Sequence, residues 1–398
     1  MKRHGAAGRL AVALVFGLAT SRGAAAQQSV ADVLTFLVTN QSVDTGNLAR
    51  DRAAAQATSD TISRELLANL STLPVSTSSG GFVYRLNPEL GTVERGTSTF
   101  GPFFVERALT AGAGRLSLGV TAQHVRYTSL DGHSLRDGTL VTTANQFADE
   151  SSPFDVDQLR LSIDATVGTF YGNVGVTDRI EVGFAVPVVM LRIEGSRVNV
   201  YRGQPFTQAS ASATSTGLAD VVLRAKGTLY ADGGNGLAAA VDVRLPTGRR
   251  EDLLGTGETS WRFSGIGSIE RGILSAHANA GVTVGGIATG LSELSYGAAL
   301  GAAATPRLTI MGEVLGRWLD TSSGIVPVSS PNPNIAGVNT IRLLPGTNGL
   351  NIVTIVPGLK WNVTDTWVLA ANAAIPLTKA GLTAPFTPFI GLDYAFGR

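Results

Sequence analysis

The chain has 398 residues, with 48 glycines, no cysteine, 15% charged residues and a formal net charge of +1. Average soluble chains carry about 25% charged residues and about 7% glycine, so this length does not read as two or three ordinary soluble domains. The lack of cysteine excludes disulfide frameworks, thiolate metal sites and thiol nucleophiles, and no apolar run reaches the ~18 residues of a spanning helix.

The N-terminus reads as a secretory signal over 1–26. Lys2, Arg3 and Arg9 precede an apolar stretch from Leu10 to Thr20, and Ala24-Ala25-Ala26 fits a small-residue cleavage site before Gln27. Arg22 is unusual so close to such a site. Removing 1–26 leaves 27 basic residues against 30 acidic ones, a formal charge of −3, so no basic surface argues for nucleic acid as a partner. In lipid every backbone group must be satisfied internally, by helices or closed barrels. With helices excluded, an exported apolar chain points to a transmembrane antiparallel β-barrel.

Residues 27–114 follow another pattern. Ser29-Val30-Ala31-Asp32 has capping-box spacing ahead of the apolar run Val33–Val38. Leu48 to Leu73 predicts a second helix, loosely striped by Ile62, Leu66, Leu67, Leu70 and Leu73 before Pro74, and Phe82–Glu94 predicts a hairpin around Asn87-Pro88-Glu89-Leu90-Gly91. The pattern leaves open a periplasmic lead-in, a plug inside the barrel or a helical surface cap.

Residues 115–398 alternate apolar with polar or small residues in segments of roughly 10, the length of a tilted barrel strand. They predict an outer-membrane barrel of about 12 strands, near 115–127, 157–169, 179–193, 217–230, 237–246, 260–270, 275–285, 293–304, 307–319, 350–361, 366–376 and 386–396. The connections alternate. Short turns fall at Tyr171–Asp178, Ala231–Gly236, Arg271–Leu274, Thr305–Pro306 and Asn362–Asp365; longer loops fall at 128–156, 194–216, 247–259, 286–292, 320–349 and 377–385. Short periplasmic turns, long external loops and an even strand count are the habit of outer-membrane barrels. Pro187, Pro246 and Pro376 fall where pairing should weaken. Trp261, Trp318, Trp361, Trp367 and Tyr394 fall near strand ends, where aromatic girdles sit. The final strand, Gly391-Leu392-Asp393-Tyr394-Ala395-Phe396, is similar to the C-terminal signal read by the barrel-assembly machinery, with Phe389 and the trailing Gly397-Arg398 as departures.

Basic side chains facing lipid cost about 2–4 kcal/mol at the midplane, so the alternation is projected with charges inward. That places Arg160, Asp164, Glu181, Asp220, Arg224, Lys226, Asp242, Arg244, Arg262, Glu313, Arg317, Lys360 and Asp393 in the lumen. A balanced set of this kind suits an internal ion-pair network and a narrow or plugged conduit, with 27–114 as the candidate plug. Chemistry is scarce. His124, His133 and His277 are the histidines after the signal, with no H-E-x-x-H or G-x-S-x-G around them. No lysine after the signal follows a glycine, as a phosphate-binding loop would require. Asp149, Glu150, Asp155 and Asp157 read as a solvated acidic loop more readily than as a calcium site. No catalytic, cofactor-binding or metal-binding residue is assigned.

Several stretches resemble a known family: Thr77-Ser78-Ser79-Gly80-Gly81-Phe82 with Tyr84-Arg85-Leu86-Asn87-Pro88; Phe100-Gly101-Pro102-Phe103-Phe104-Val105-Glu106-Arg107-Ala108; Thr177-Asp178-Arg179 with Val186-Pro187; and Arg244-Leu245-Pro246-Thr247-Gly248 with Leu253-Leu254-Gly255-Thr256-Gly257. Together they are similar to the outer-membrane proteins named for the meta-pathway of phenol degradation. The resemblance implies a barrel that admits hydrophobic or aromatic compounds, and it carries no set of solute-contacting residues. The leading expectation is passive entry of small solutes, with outer-membrane lipid, the assembly machinery and the solute as partners. A structural or adhesive barrel working through its external loops is the alternative, and a membrane-embedded hydrolase is less favoured.

Overall fold

The computed structural model describes residues 29–39, 62–63, 84–87, 92–95, 97–285, 293–319, 324–346, 349–364 and 366–396. The expected signal and most of the expected second helix lie outside the described residues; of that helix, Ile62 and Ser63 are described and are helical. The expected hairpin is present, with Tyr84–Asn87 paired antiparallel to Thr92–Arg95.

A period-two alternation gives a strand two unlike faces, and twelve such strands close into an antiparallel barrel. They are β1 Leu116–Tyr127, β2 Asp155–Gly175, β3 Ile180–Tyr201 and β4 Val221–Asp232. Next come β5 Asn235–Leu245, β6 Ser260–Arg271, β7 Leu274–Gly285 and β8 Glu293–Thr305. Last are β9 Leu308–Leu319, β10 Leu350–Thr364, β11 Trp367–Pro376 and β12 Thr387–Phe396. Each pairs with the next, and β12 closes on β1 from Phe389 opposite Gln123 to Phe396 opposite Leu116.

The outer face is apolar. Val353, Ile355, Leu359, Trp361 and Val363 on β10 point away from the lumen, as do Trp261, Phe263 and Ile269 on β6. From Val353 to Val363 this face runs about 33 Å along the strand at ~3.3 Å per residue, or about 25 Å in height at a ~40° tilt, the thickness of a lipid-facing belt. Trp261, Tyr296 and Trp318 are exposed toward the end with long loops, and Tyr230, Trp361 and Trp367 toward the end with short turns. An apolar belt bounded by aromatic rings is the surface of a membrane-spanning barrel.

Inside, large and small residues interlock. A Cβ at Gly119 would overlap the Tyr171 ring, which lies across it from the neighbouring strand. The Tyr171 hydroxyl thereby reaches Asp393 on β12 and donates to it.

β2 and β3 are 21 and 22 residues long, about twice what a crossing needs, and they continue beyond the long-loop end. Segments expected as loops are largely strands there. Gln204–Leu218 adds to the free edge of β3, and Val141–Phe147, Val338–Pro345 and Ile325–Pro331 add in turn to β2. Pro187 lies where the partner of β3 changes from β4 to Gln204–Leu218, since those ladders end at Ala185 and resume at Val188.

On this projection the two faces exchange solvents. Leu159, Leu161, Ile163, Leu191 and Ile193 are buried on the inner side against the helix α1, Val30–Thr39. The outer side carries Arg160, Ser162 and Asp164. Arg160 and Asp164 therefore do not line the lumen as expected. The phase of an alternation does not say which face meets water, and outside lipid the polar face belongs outside. Asp164 pairs there with Arg126 at 2.7 Å, the arginine side chain being 62% exposed. The capping box starts α1, since Asp32 N donates to Ser29 Oγ (3.0 Å) and Ser29 N to Asp32 Oδ2 (3.2 Å). Val30, Val33, Leu34, Leu37 and Val38 of α1 are buried, each worth about 1.5–3 kcal/mol of apolar transfer for the larger side chains.

Candidate functional site

The short-turn half of the lumen is filled by the chain itself. Residues 97–111 have no regular secondary structure, so their backbone groups need partners, and inward side chains supply them. Glu313 accepts from the N–H groups of Phe103, Phe104 (2.9 Å) and Val105 (2.7 Å). Lys360 Nζ donates to Pro102 O at 2.9 Å and lies 5.0 Å from the Phe103 ring centre. Lys226 Nζ lies 3.3 Å from both Arg107 O and Leu109 O, and 3.5 Å from Glu181. Glu181 in turn accepts from Ala111 N at 2.9 Å. Thr228 Oγ1 donates to Ala108 O (2.8 Å) while Ser268 Oγ accepts from Ala108 N (2.8 Å). Glu270 receives Ser98 N at 2.6 Å and Thr99 N at 3.0 Å. Glu106 of the segment pairs with Arg224 on β4.

Glu181, Arg224, Lys226, Glu313 and Lys360, all expected in the lumen, point into it and are committed to the lumen segment, and Asp393 to Tyr171. Asp220 is also diverted. It is 0% exposed, between Gln204–Leu218 and β4, and accepts from Gly248 N (3.0 Å), Thr256 N (2.9 Å) and Thr256 Oγ1 (3.1 Å). The loop after β5 wraps this carboxylate so closely that a Cβ at Gly248 would overlap the backbone of Leu254, and one at Gly255 would overlap Asp220 itself.

Above the segment lies a cavity of about 300 Å³, at the lower edge of the ~300–1,000 Å³ typical of ligand pockets. Phe104, Val105 and Glu106 form its floor, and Leu382, Thr383 and Ala384 of the β11–β12 loop line it from the long-loop end. One wall is charged. It carries Asp242, Arg244, Arg262, Arg317 and Glu293, the last a residue that the inward projection omitted. Arg262 Nε and Nη2 reach Asp242 Oδ2 at 2.8 and 2.6 Å, and Arg317 makes a two-pronged pair with Glu293 at 2.8 and 2.7 Å. The opposite wall is apolar, with Val125, Tyr127, Ala374 and Phe389.

The loops at this end are tied together. Leu382–Thr383 pairs with Ser129–Leu130, which pairs with His133–Ser134. Asp131 joins three loops, accepting from Gly381 N at 2.6 Å and Ile325 N at 3.0 Å. Burial pushes the Asp131 carboxyl above its usual range, against the pull of those two N–H bonds. Asp131→Ala orphans both donors, at about 1–3 kcal/mol each where buried. The β11–β12 loop of that variant is expected to become sensitive to proteases added from outside, with heat-modifiable gel migration of the barrel unchanged. Equal protease resistance would remove this tie from the account.

The remaining chemical candidates lie outside the chamber lining. Asp155 and Asp157 are buried and bonded by Asn199 Nδ2 (2.6 and 3.2 Å), whereas Asp149 and Glu150 are exposed. His124 faces outward and bonds Thr166, and His133 lies in a two-residue bridge. His277 is buried 2.8 Å from Ser268 Oγ, the hydroxyl already engaged by Ala108 N, so the segment covers this pair.

No family model and no curated protein matches the chain. Among solved structures it is similar to an outer membrane channel from Pseudomonas putida F1, at 14% identity and a TM-score of 0.46, covering 73% of this chain and 98% of that one. It is also similar to OprB from Pseudomonas putida, at 9% identity and a TM-score of 0.28, covering 71% and 93%. A third is the beta domain of the Bordetella autotransporter BrkA, at 11% identity and a TM-score of 0.35, covering 71% and 100%.

Proposed function

We propose that the chain is an outer-membrane barrel that passively admits small hydrophobic or aromatic solutes. The chamber is the stopping place on the route, and the segment 97–111 is the barrier below it. The observation that carries this reading is a half-apolar cavity of about 300 Å³ inside a membrane-spanning barrel, closed on the short-turn side by a segment held through hydrogen bonds rather than by the wall itself. Such a barrier moves without breaking the barrel. Passage is tested in cells whose outer leaflet is lipopolysaccharide, which slows apolar solutes. Expression of the chain is expected to raise the uptake rate of radiolabelled benzyl alcohol several-fold over empty vector. Equal rates would overturn the proposal.

The projecting sheet supports a second reading, a barrel whose work is done outside the membrane. Its edge strand Ile325–Pro331 is exposed at nearly every position. Cell–cell or cell–surface attachment that depends on 324–346, with solute uptake unaltered, is the result that favours it.

A further inference from the structure

Resting on the channel reading, we infer that the chamber is built for an amphipathic anion, a single-ring aromatic carboxylate, with its carboxylate on the arginine wall and its ring on the apolar wall. A conduit for purely hydrophobic solutes gains nothing from buried charge, which costs free energy to desolvate. Here the charge is gathered on one wall. Arg244, Arg262 and Arg317 share it with Asp242 and Glu293, while Glu106 on the floor pairs with Arg224.

The two carboxylates do not saturate their partners. A guanidinium offers five N–H donors; Asp242 and Glu293 engage Nε and Nη2 of Arg262 and Arg317. The side chains of Arg262 and Arg317 remain 39% and 21% exposed, and the space they are exposed to is the chamber they line. Planar donor sets of this kind suit a carboxylate, with charge-assisted bonds roughly twice as strong as neutral ones. The aromatic half of the ligand meets Tyr127, Phe389 and Phe104. The volume of about 300 Å³ accommodates a single-ring occupant, since a cavity of about half that size already takes up benzene.

The test is calorimetric titration of the detergent-solubilised full chain with benzoate and with benzyl alcohol, two probes of one size that differ in charge. Benzoate is expected to bind about tenfold or more tightly than benzyl alcohol, with affinity falling as salt rises. The double variant Glu293→Gln/Arg317→Gln, which removes one charge of each sign, is expected to weaken benzoate about tenfold while leaving benzyl alcohol within twofold. Benzoate binding no tighter than benzyl alcohol in the unmodified chain overturns the inference without recourse to any variant, as does an equal loss for both probes in a double variant that keeps heat-modifiable migration. If benzyl alcohol uptake persists while benzoate fails to bind, the carboxylate inference falls and the channel reading stands; if neither probe binds or enters, both fall.

Discussion

Glu313→Ala is expected to unseat the lumen segment and leave the barrel standing. One carboxylate accepts the N–H groups of Phe103, Phe104 and Val105, and the same stretch is gripped from β10 by Lys360 through Pro102 O. Removing the acceptor strands three donors, each worth about 1–3 kcal/mol if it stays dry. A shift of even ~3 kcal/mol changes an open-to-closed ratio by roughly a hundredfold. The strand ladders of β9 with β8 and β10 do not use the side chain and should persist. In planar bilayers the unmodified chain is expected to be mostly closed and the variant mostly open, with new protease cleavage within 97–111. Glu313→Gln, whose amide oxygen still accepts, should fall between them. Identical conductance traces for all three proteins would show that this contact does not hold the barrier.

Asp220→Ala is expected to be the most destabilising single change, because it acts at a joint. The carboxylate is wholly buried where Gln204–Leu218 gives way to β4, and it satisfies two N–H groups and a hydroxyl of the loop after β5. That loop also reaches α1, since Ala31 N donates to Glu251 O at 3.0 Å, and it sends Leu253 and Leu254 into the core beneath the helix. Losing the acceptor orphans two N–H donors together, for about 2–5 kcal/mol, while the Thr256 hydroxyl keeps Glu258 O at 2.8 Å. The midpoint of the heat-modifiable gel transition should fall by several degrees or more, with Asp220→Asn falling less. An unchanged midpoint in the alanine variant would sink this account of the clasp.

The strands were legible because period-two alternation is a local signal that lipid enforces on one face. β4 to β12 fall within a few residues of their expected positions. The side of the wall was legible only while lipid was the outer solvent. Glu181, Lys226, Glu313 and Lys360 turn inward, whereas Arg160 and Asp164 lie on a part of β2 that has left the membrane. Glu293 was within reach, since Glu293, Ser295 and Gly297 alternate with Leu294 and Tyr296. The lumen segment was within reach only as an undivided part of the candidate plug 27–114, because an irregular backbone has no period to mark its bounds. Its residues Phe100 to Ala108 were visible solely as a resemblance, and so were the Thr247-Gly248 and Gly255-Thr256 pieces that close around Asp220. Both are long-range hydrogen-bond devices, in which residues scarcely related in sequence meet at one carboxylate.

The exchange of solvents along β2 and β3 gives the barrel a float line. On one side of it the outward residues are Phe170, Val174, Val182, Val188 and Met190; on the other they are Arg160, Asp164, Arg192 and Glu194. Sinking the barrel by a dipeptide step would carry Arg192 toward hydrocarbon, where an arginine costs up to about 2–4 kcal/mol as it nears the midplane; raising it would bring Met190 and Val188 into water. Neither drift is favourable, so the hairpin works as a keel in reverse, setting the depth and roll of the barrel from above. The chamber, whose wall includes β1 and β4 on either side of those two strands, keeps a constant height relative to the membrane surface.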